Sequence, residues 1–210
     1  DMVNGSIYPD DSTNYNNHHI LSGNSAIGLT NKATFESWFS VAAAGQTYML
    51  FDTNPSDLET FYIRTAGDFD SNFANLHMMC RVHATSLRMD QRVIIPINTL
   101  THYVVSFDLS VPVFKIAING ALSTPLAGAS TLTTGTIGGT APRIGSAISG
   151  ARRAWNGLIA GVQVWPTYID LSVAKNRALF YDGGPTKRGF QVNTISPVIV
   201  FNDSGTSVSN

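Results

Sequence analysis

Short runs of strand-forming residues, cut apart by turn residues, follow one another along most of this chain, and that rhythm leaves few folds open. The runs are "SAIGL" (25–29), "ATFESWFSVA" (33–42), "TYMLFDT" (47–53), "ETFYIRTA" (59–66) and "ANLHMMCRVHA" (74–84). They continue with "RVIIPI" (92–97), "THYVVSFDL" (101–109), "VFKIAING" (113–120), "APRIGSA" (141–147) and the stretch "NGLIAGVQVWPTYIDLS" (156–172). Almost no segment carries helical periodicity, so the chain is predicted to be all-β, an antiparallel β-sandwich. A length of 210 residues suits one such domain.

Local signals sharpen this. Asn119-Gly120 lies between two strand-like runs, and both residues tolerate the positive φ of a type I′ turn, so a tight hairpin is predicted there. In "THYVVSF" the Tyr103, Val105 and Phe107 face is apolar and the opposite face mixed, as for a sheet with one side on the core. Residues 158–165 are apolar on both faces and read as a strand buried on both sides and closing the sandwich, stopped by Pro166. Polar residues 170–172 then precede "VAKNRALFYDG", which predicts one short helix near the C-terminus, ended by Gly183 and Gly184. The uncharged "STPLAGASTLTTGTIGGTAP" (123–142) reads as a loop system at one end of the sandwich. The expected organisation is a polar N-terminal arm (1–24), the sandwich (25–182) and a C-terminal extension (183–210).

Charge excludes some functions. A net charge of -1 supplies no basic field for nucleic acid. Only 13% of residues are charged, about half the globular norm of ~25%. With abundant Ser, Thr, Asn and Gly, that fits a virion or extracellular surface. The single cysteine, Cys80, has no partner for an internal disulfide and reads as a small buried hydrophobe. No run approaches the ~18 apolar residues of a membrane span, and "DMVNGSIYPDD" is neither basic nor apolar enough for a signal peptide. Asp1 and the polar ending "NDSGTSVSN" read as the ends of a piece of something longer.

The order of motifs resembles the laminin G-like, concanavalin A-like jelly-roll family of lectins and glucanases. The resemblance rests on "FESWFS" (35–40) with its tryptophan, "THYVVSFD", the strand and Asn-Gly hairpin of "FKIAINGAL", and "RIGSAISGARRAWNGLIAGVQVWPTYIDLS" (143–172). It covers residues 20–182. The ending "DLSVAKNRALFYDGGPTKRGFQVNTISPVIVFND" is similar to that of laminin G-like modules in phage structural proteins. The resemblance implies a non-enzymatic module of a phage virion, acting in surface decoration, attachment or assembly. Its partners are then other virion proteins or cell-surface glycans, and symmetric copies imply a homo-oligomer. The same fold hosts lectins and hydrolases, so a carbohydrate-binding lectin, with or without calcium, and a glycoside hydrolase are the alternatives.

The hydrolase alternative needs two carboxylates about 5–10 Å apart. The only glutamates are Glu36 and Glu59, and neither has a carboxylate two residues away on its strand; Asp57 precedes Glu59 within a turn-like "NPSDLET". No Gly-x-Ser-x-Gly elbow is present, and "GGPTKRG" lacks phosphate-loop spacing. His77, His83 and His102 sit in strand patterns as structural hydrogen-bonders, and adjacent His18 and His19 are a weaker transition-metal candidate, since neighbouring side chains rarely converge on one ion. For calcium, Asp68, Asp70 and Asn72 in "GDFDSN" offer oxygen ligands at alternate positions, with Asp52 and Asp108 as further strand-end candidates. For a glycan, the densest polar and aromatic cluster is Arg152, Arg153, Trp155 and Asn156. Tyr15, Tyr48, Phe69 and Tyr168 are further platform candidates, whereas Trp38 and Trp165 read as buried.

Overall fold

A computed structural model describes residues 2–3, 6–7, 30–42, 47–53, 59–66, 73–82, 86–126, 131–137, 143–145, 153–181, 199–201 and 207–208. In chain order the strands are β1 (Met2–Val3), β2 (Ser6–Ile7), β3 (Lys32–Phe39), β4 (Tyr48–Asp52), β5 (Glu59–Ala66), β6 (Phe73–Val82), β7 (Ser86–Pro96) and β8 (Thr101–Asp108). They continue with β9 (Val113–Ile118), β10 (Ala121–Ser123), β11 (Thr131–Leu132), β12 (Arg143–Ile144), β13 (Arg153–Ala154) and β14 (Ile159–Trp165). The short helix α1 (Ala174–Arg177) follows, then β15 (Ile199–Phe201) and β16 (Ser207–Val208).

Two sheets form. The larger runs β1-β2-β14-β3-β8-β9-β10, with β15 also on β14 and β16 on β15; the smaller runs β11-β7-β6-β5-β4-β12, with β13 on β4. Among the described residues all strand pairings are antiparallel except β13 with β4. Alternation decides which side chains meet between the sheets. Phe35 and Phe39 of β3, with Tyr103, Val105 and Phe107 of β8, pack on Leu50, Phe51, Phe61 and Ile63 of the smaller sheet in one apolar core. The all-β sandwich is therefore the observed fold.

The turns follow the local signals. Asn119 and Gly120 have φ of 50° and 76° and join β9 to β10. The predicted short helix is the single turn of α1, with Arg177 donating to the carbonyls of Leu171 and Ser172. Residues 166–181 lie across the outer face of the larger sheet. Thr34 Oγ1 donates to the Thr167 carbonyl, the Ile169 amide donates to Ser106 Oγ, and Ile169, Leu171 and Phe180 pack on Val104, Ala117 and Trp165. Trp165 is buried as expected; Trp38 is only half-buried, stacked on Tyr181 at 5.9 Å.

Two further departures concern the strands at either end of the fold. The "closing" strand β14 is not the end of its sheet: β2, from the expected N-terminal arm, pairs at Ile159, and β15, from the expected extension, pairs at Val162–Val164. The loop system 123–142 contains β11, which pairs with β7. The predicted strand 25–29 lies outside the described residues.

At the β8 end, Asp108 shows how a turn is pinned. Burial raises its carboxyl pKa, but the Ser110 hydroxyl and amide, the latter at 2.8 Å, and Lys32 at 4.0 Å outweigh that and hold it below the usual range. A carboxylate depressed by folding adds stability above its unfolded pKa and loses it as the pH falls through the folded value. Asp108→Asn is accordingly expected to cost about 1–2 kcal/mol at pH 7, part of the ~1.5–3 kcal/mol of a hydrogen bond to a charged group, since the amide oxygen still accepts. Thermal melts should show the gap to wild type closing between pH 5 and pH 2.

Candidate functional site

The outer face of the smaller sheet gathers polar side chains that the strand order separates by dozens of residues. On β5, Phe61 and Ile63 enter the core, which turns Tyr62 and Arg64 outward. On β6, Ala74, Leu76 and Met78 enter the core and Asn75 faces out. On β7, Met89, Val93 and Ile95 enter it, leaving Asp90, Arg92 and Ile94 outside.

Register sets these positions side by side. Asp52, Tyr62, Met79 and Asp90 form one row across β4, β5, β6 and β7. Met49, Arg64, His77 and Arg92 form the next, and Asn75 stands between Ala66 and Ile94 in a third. Adjacent members of a row are about 4.5–5.5 Å apart at Cβ.

This is not an ordinary solvated face. Asp52 is 4% exposed, Tyr62 1%, Asn75 3% and Asp90 7%, so these polar groups are buried. The Arg64 guanidinium covers the Tyr62 ring at 5.5 Å from its centroid. Arg92 grips Asp90 through Nε at 3.4 Å and Nη2 at 3.1 Å. Asn75 Oδ1 is buried with no hydrogen-bond partner, an acceptor of the kind a bound polar group or water satisfies. At the rim Phe73 and Ile94 are more than one-third exposed. Fixed donors and acceptors beside apolar edges suit a polyhydroxylated ligand.

The residues singled out from the sequence fare differently. Trp155 is 1% exposed: its indole N–H donates to the Ser40 carbonyl at 2.8 Å and its ring packs edge-on against Phe39, so it is a core residue and no open platform. Tyr48 is buried too, its hydroxyl accepting from Asn156 Nδ2 at 3.3 Å. Arg153 holds a strand position beside Tyr48 on β13, at the edge of the smaller sheet. Arg152, Asp68, Asp70, Asn72, Tyr15, Phe69, His18, His19 and His83 lie outside the described residues. Tyr168 is half-buried, its pKa pushed up to about 12 by burial and by Asp170.

Among the described residues no three His, Cys, Asp or Glu groups are placed to hold a metal. Glu36 and Glu59 are on different sheets, β3 and β5. Glu36 is committed to His102 Nε2 at 2.9 Å, beneath the rings of Trp38 and Tyr181. Among the described residues no helix is long and apolar enough to cross a membrane.

Sequence reasoning missed the outer face, although its alternation is written in "FYIR" and "DQR". The signal needed was the register between strands, which Tyr62-x-Arg64 and Asp90-x-Arg92 do not reveal by themselves.

No curated protein matches the chain. Among solved structures, the heptameric SAP-like pentraxin of Limulus polyphemus is similar at 15% identity and a TM-score of 0.57, over 98% of this chain and 90% of that one. A candidate carbohydrate-binding protein of Bacteroides ovatus is similar at 18% identity and a TM-score of 0.52, over 92% of this chain and 55% of that one. These likenesses are of fold. The laminin G profile described as the concanavalin A-like lectin/glucanases superfamily matches residues 12–172, and the chain belongs to that family.

Proposed function

We propose that the protein is a non-enzymatic carbohydrate-binding module that meets its glycan on the outer face of the smaller sheet. The observation that carries this is the set of Asp52, Tyr62, Arg64, Asn75, Asp90 and Arg92, brought onto one face by register. Membership of a lectin and glucanase superfamily supports it, as does the likeness to a candidate carbohydrate-binding protein. Glu36 bound to His102, on the other sheet from Glu59, supports a binding role over hydrolysis.

A glycan array run with and without a calcium chelator tests the reading, and the chelator arm tests a calcium requirement. Ile94→Glu, at a position 36% exposed and opposite Asn75 in the register, is expected to weaken binding at least about tenfold, a loss of ~1.4 kcal/mol, with an unchanged melting temperature. Silence across the array removes the proposal.

The place of action we propose is a phage virion surface, on the resemblance of the stretch from Asp170 to Asp203 to phage structural modules. There the module acts in attachment or decoration as one of several symmetric copies. Peptides in purified particles and sedimentation of the isolated protein test those two points.

A further inference from the structure

We infer that the sugar held on this face carries an acidic group, a carboxylate or a sulfate, and that Arg92 is its principal donor with Arg64 beside it. The inference rests on the carbohydrate reading above and adds the class of ligand.

Arg64, His77 and Arg92 hold consecutive positions in one register row, on β5, β6 and β7. Strands lie about 4.8 Å apart, so the two arginine backbones stand ~10 Å from each other, within reach of one anion seated over the β6 position. Arg92 is the better placed. Asp90 takes the Nε and Nη2 edge of its guanidinium, which fixes the plane of the group and leaves the Nη1 donors on the side away from Asp90. Its side chain remains 30% exposed, so a ligand can reach it. A donor fork already held in position loses less entropy on binding than a swinging lysine.

The aromatic groups point the same way. Neutral sugars are commonly held on an open ring, but Tyr62, the tyrosine of this face, is 1% exposed under Arg64. Phe73, which is open, is four residues along β6 from His77, or about 13 Å. At the arginine row itself, charge and hydrogen bonding are what the face presents.

The test is calorimetric titration of the whole protein with matched pairs: trigalacturonate against its methyl ester, and a short dextran sulfate against dextran. At least one acidic member is expected to bind ten times or more tighter than its neutral twin, with the preference shrinking as salt rises. The first pair reports a carboxylate ligand and the second a sulfate ligand. Arg92→Lys keeps the charge beside Asp90 but loses the fork, and is expected to remove most of the preference; Arg64→Lys serves as a second variant should the first not fold. Equal binding of acidic and neutral members, or a preference that neither variant moves, overturns the inference and leaves the carbohydrate reading standing. If neither these sugars nor any glycan of the array binds, both fall.

Discussion

Phe35→Ala is expected to lower the stability of the fold by about 3–5 kcal/mol, the range for truncating a fully buried phenylalanine. Phe35 is 0% exposed at the centre of β3 and meets two aromatic rings of the facing sheet. Its ring is 5.0 Å from that of Phe51 and 6.5 Å from that of Phe61, both in the smaller sheet, and 6.4 Å from Tyr103 in its own. Truncation removes contacts to both layers at once, and rings held in edge-on and tilted arrangements do not collapse readily into the space. Urea unfolding measures the effect. For a domain of this size each kcal/mol shifts Tm by about 2–4 °C, so a melt should fall by roughly 10 °C. Phe35→Leu, which keeps most of the volume, should cost less than half as much. A loss below 1 kcal/mol for the alanine variant would mean that these rings do not form the centre of the core.

Gly157→Ala should be about as damaging, for a different reason. Gly157 has φ 146°, a conformation that side chains rarely adopt, and a methyl group there would run into the Ser40 carbonyl, a backbone atom that cannot turn aside. Moving that carbonyl disturbs a small knot of bonds between two distant segments. The Ser40 amide donates to the Leu158 carbonyl at 2.9 Å, the Ala42 amide to Asn156 at 2.7 Å, and the Trp155 indole to the Ser40 carbonyl itself at 2.8 Å. Strain and lost bonds together are expected to cost on the order of 3 kcal/mol or more. The cost should appear in denaturant melts together with a change in tryptophan fluorescence, since Trp155 is tied to the same carbonyl. A variant as stable as wild type would place the 155–158 segment elsewhere.

The two substitutions also mark what was legible in the sequence. The strand that carries Phe35 was readable because "ATFESWFSVA" is a run of strand-forming residues, a local property. The Asn119-Gly120 hairpin was readable for the same reason, since the turn chemistry lies within two residues. The role of Trp155 was not. Its neighbours Arg152, Arg153 and Asn156 are polar, which suggested an exposed platform, but its burial depends on the Ser40 carbonyl, 115 positions away. The outer face of the smaller sheet was hidden likewise. Tyr62, Arg64, Asp90 and Arg92 are separate pairs along the chain and become neighbours only when β6 is inserted between β5 and β7 in a particular register. The short helix was legible too, and Leu179 and Phe180 just beyond it pack on the larger sheet.

Residues 166–181 lie across the outer side of the larger sheet, and this gives the molecule a front and a back for anyone handling it. Lys175, exposed on α1, is on the covered side, away from the arginine row. A cysteine placed there by Lys175→Cys, with the one native cysteine replaced by Cys80→Ser, becomes the single thiol for coupling. Immobilised through that thiol on a sensor chip, every copy would present the Arg64–Arg92 face to the solution, whereas random coupling through amines would scatter the orientations.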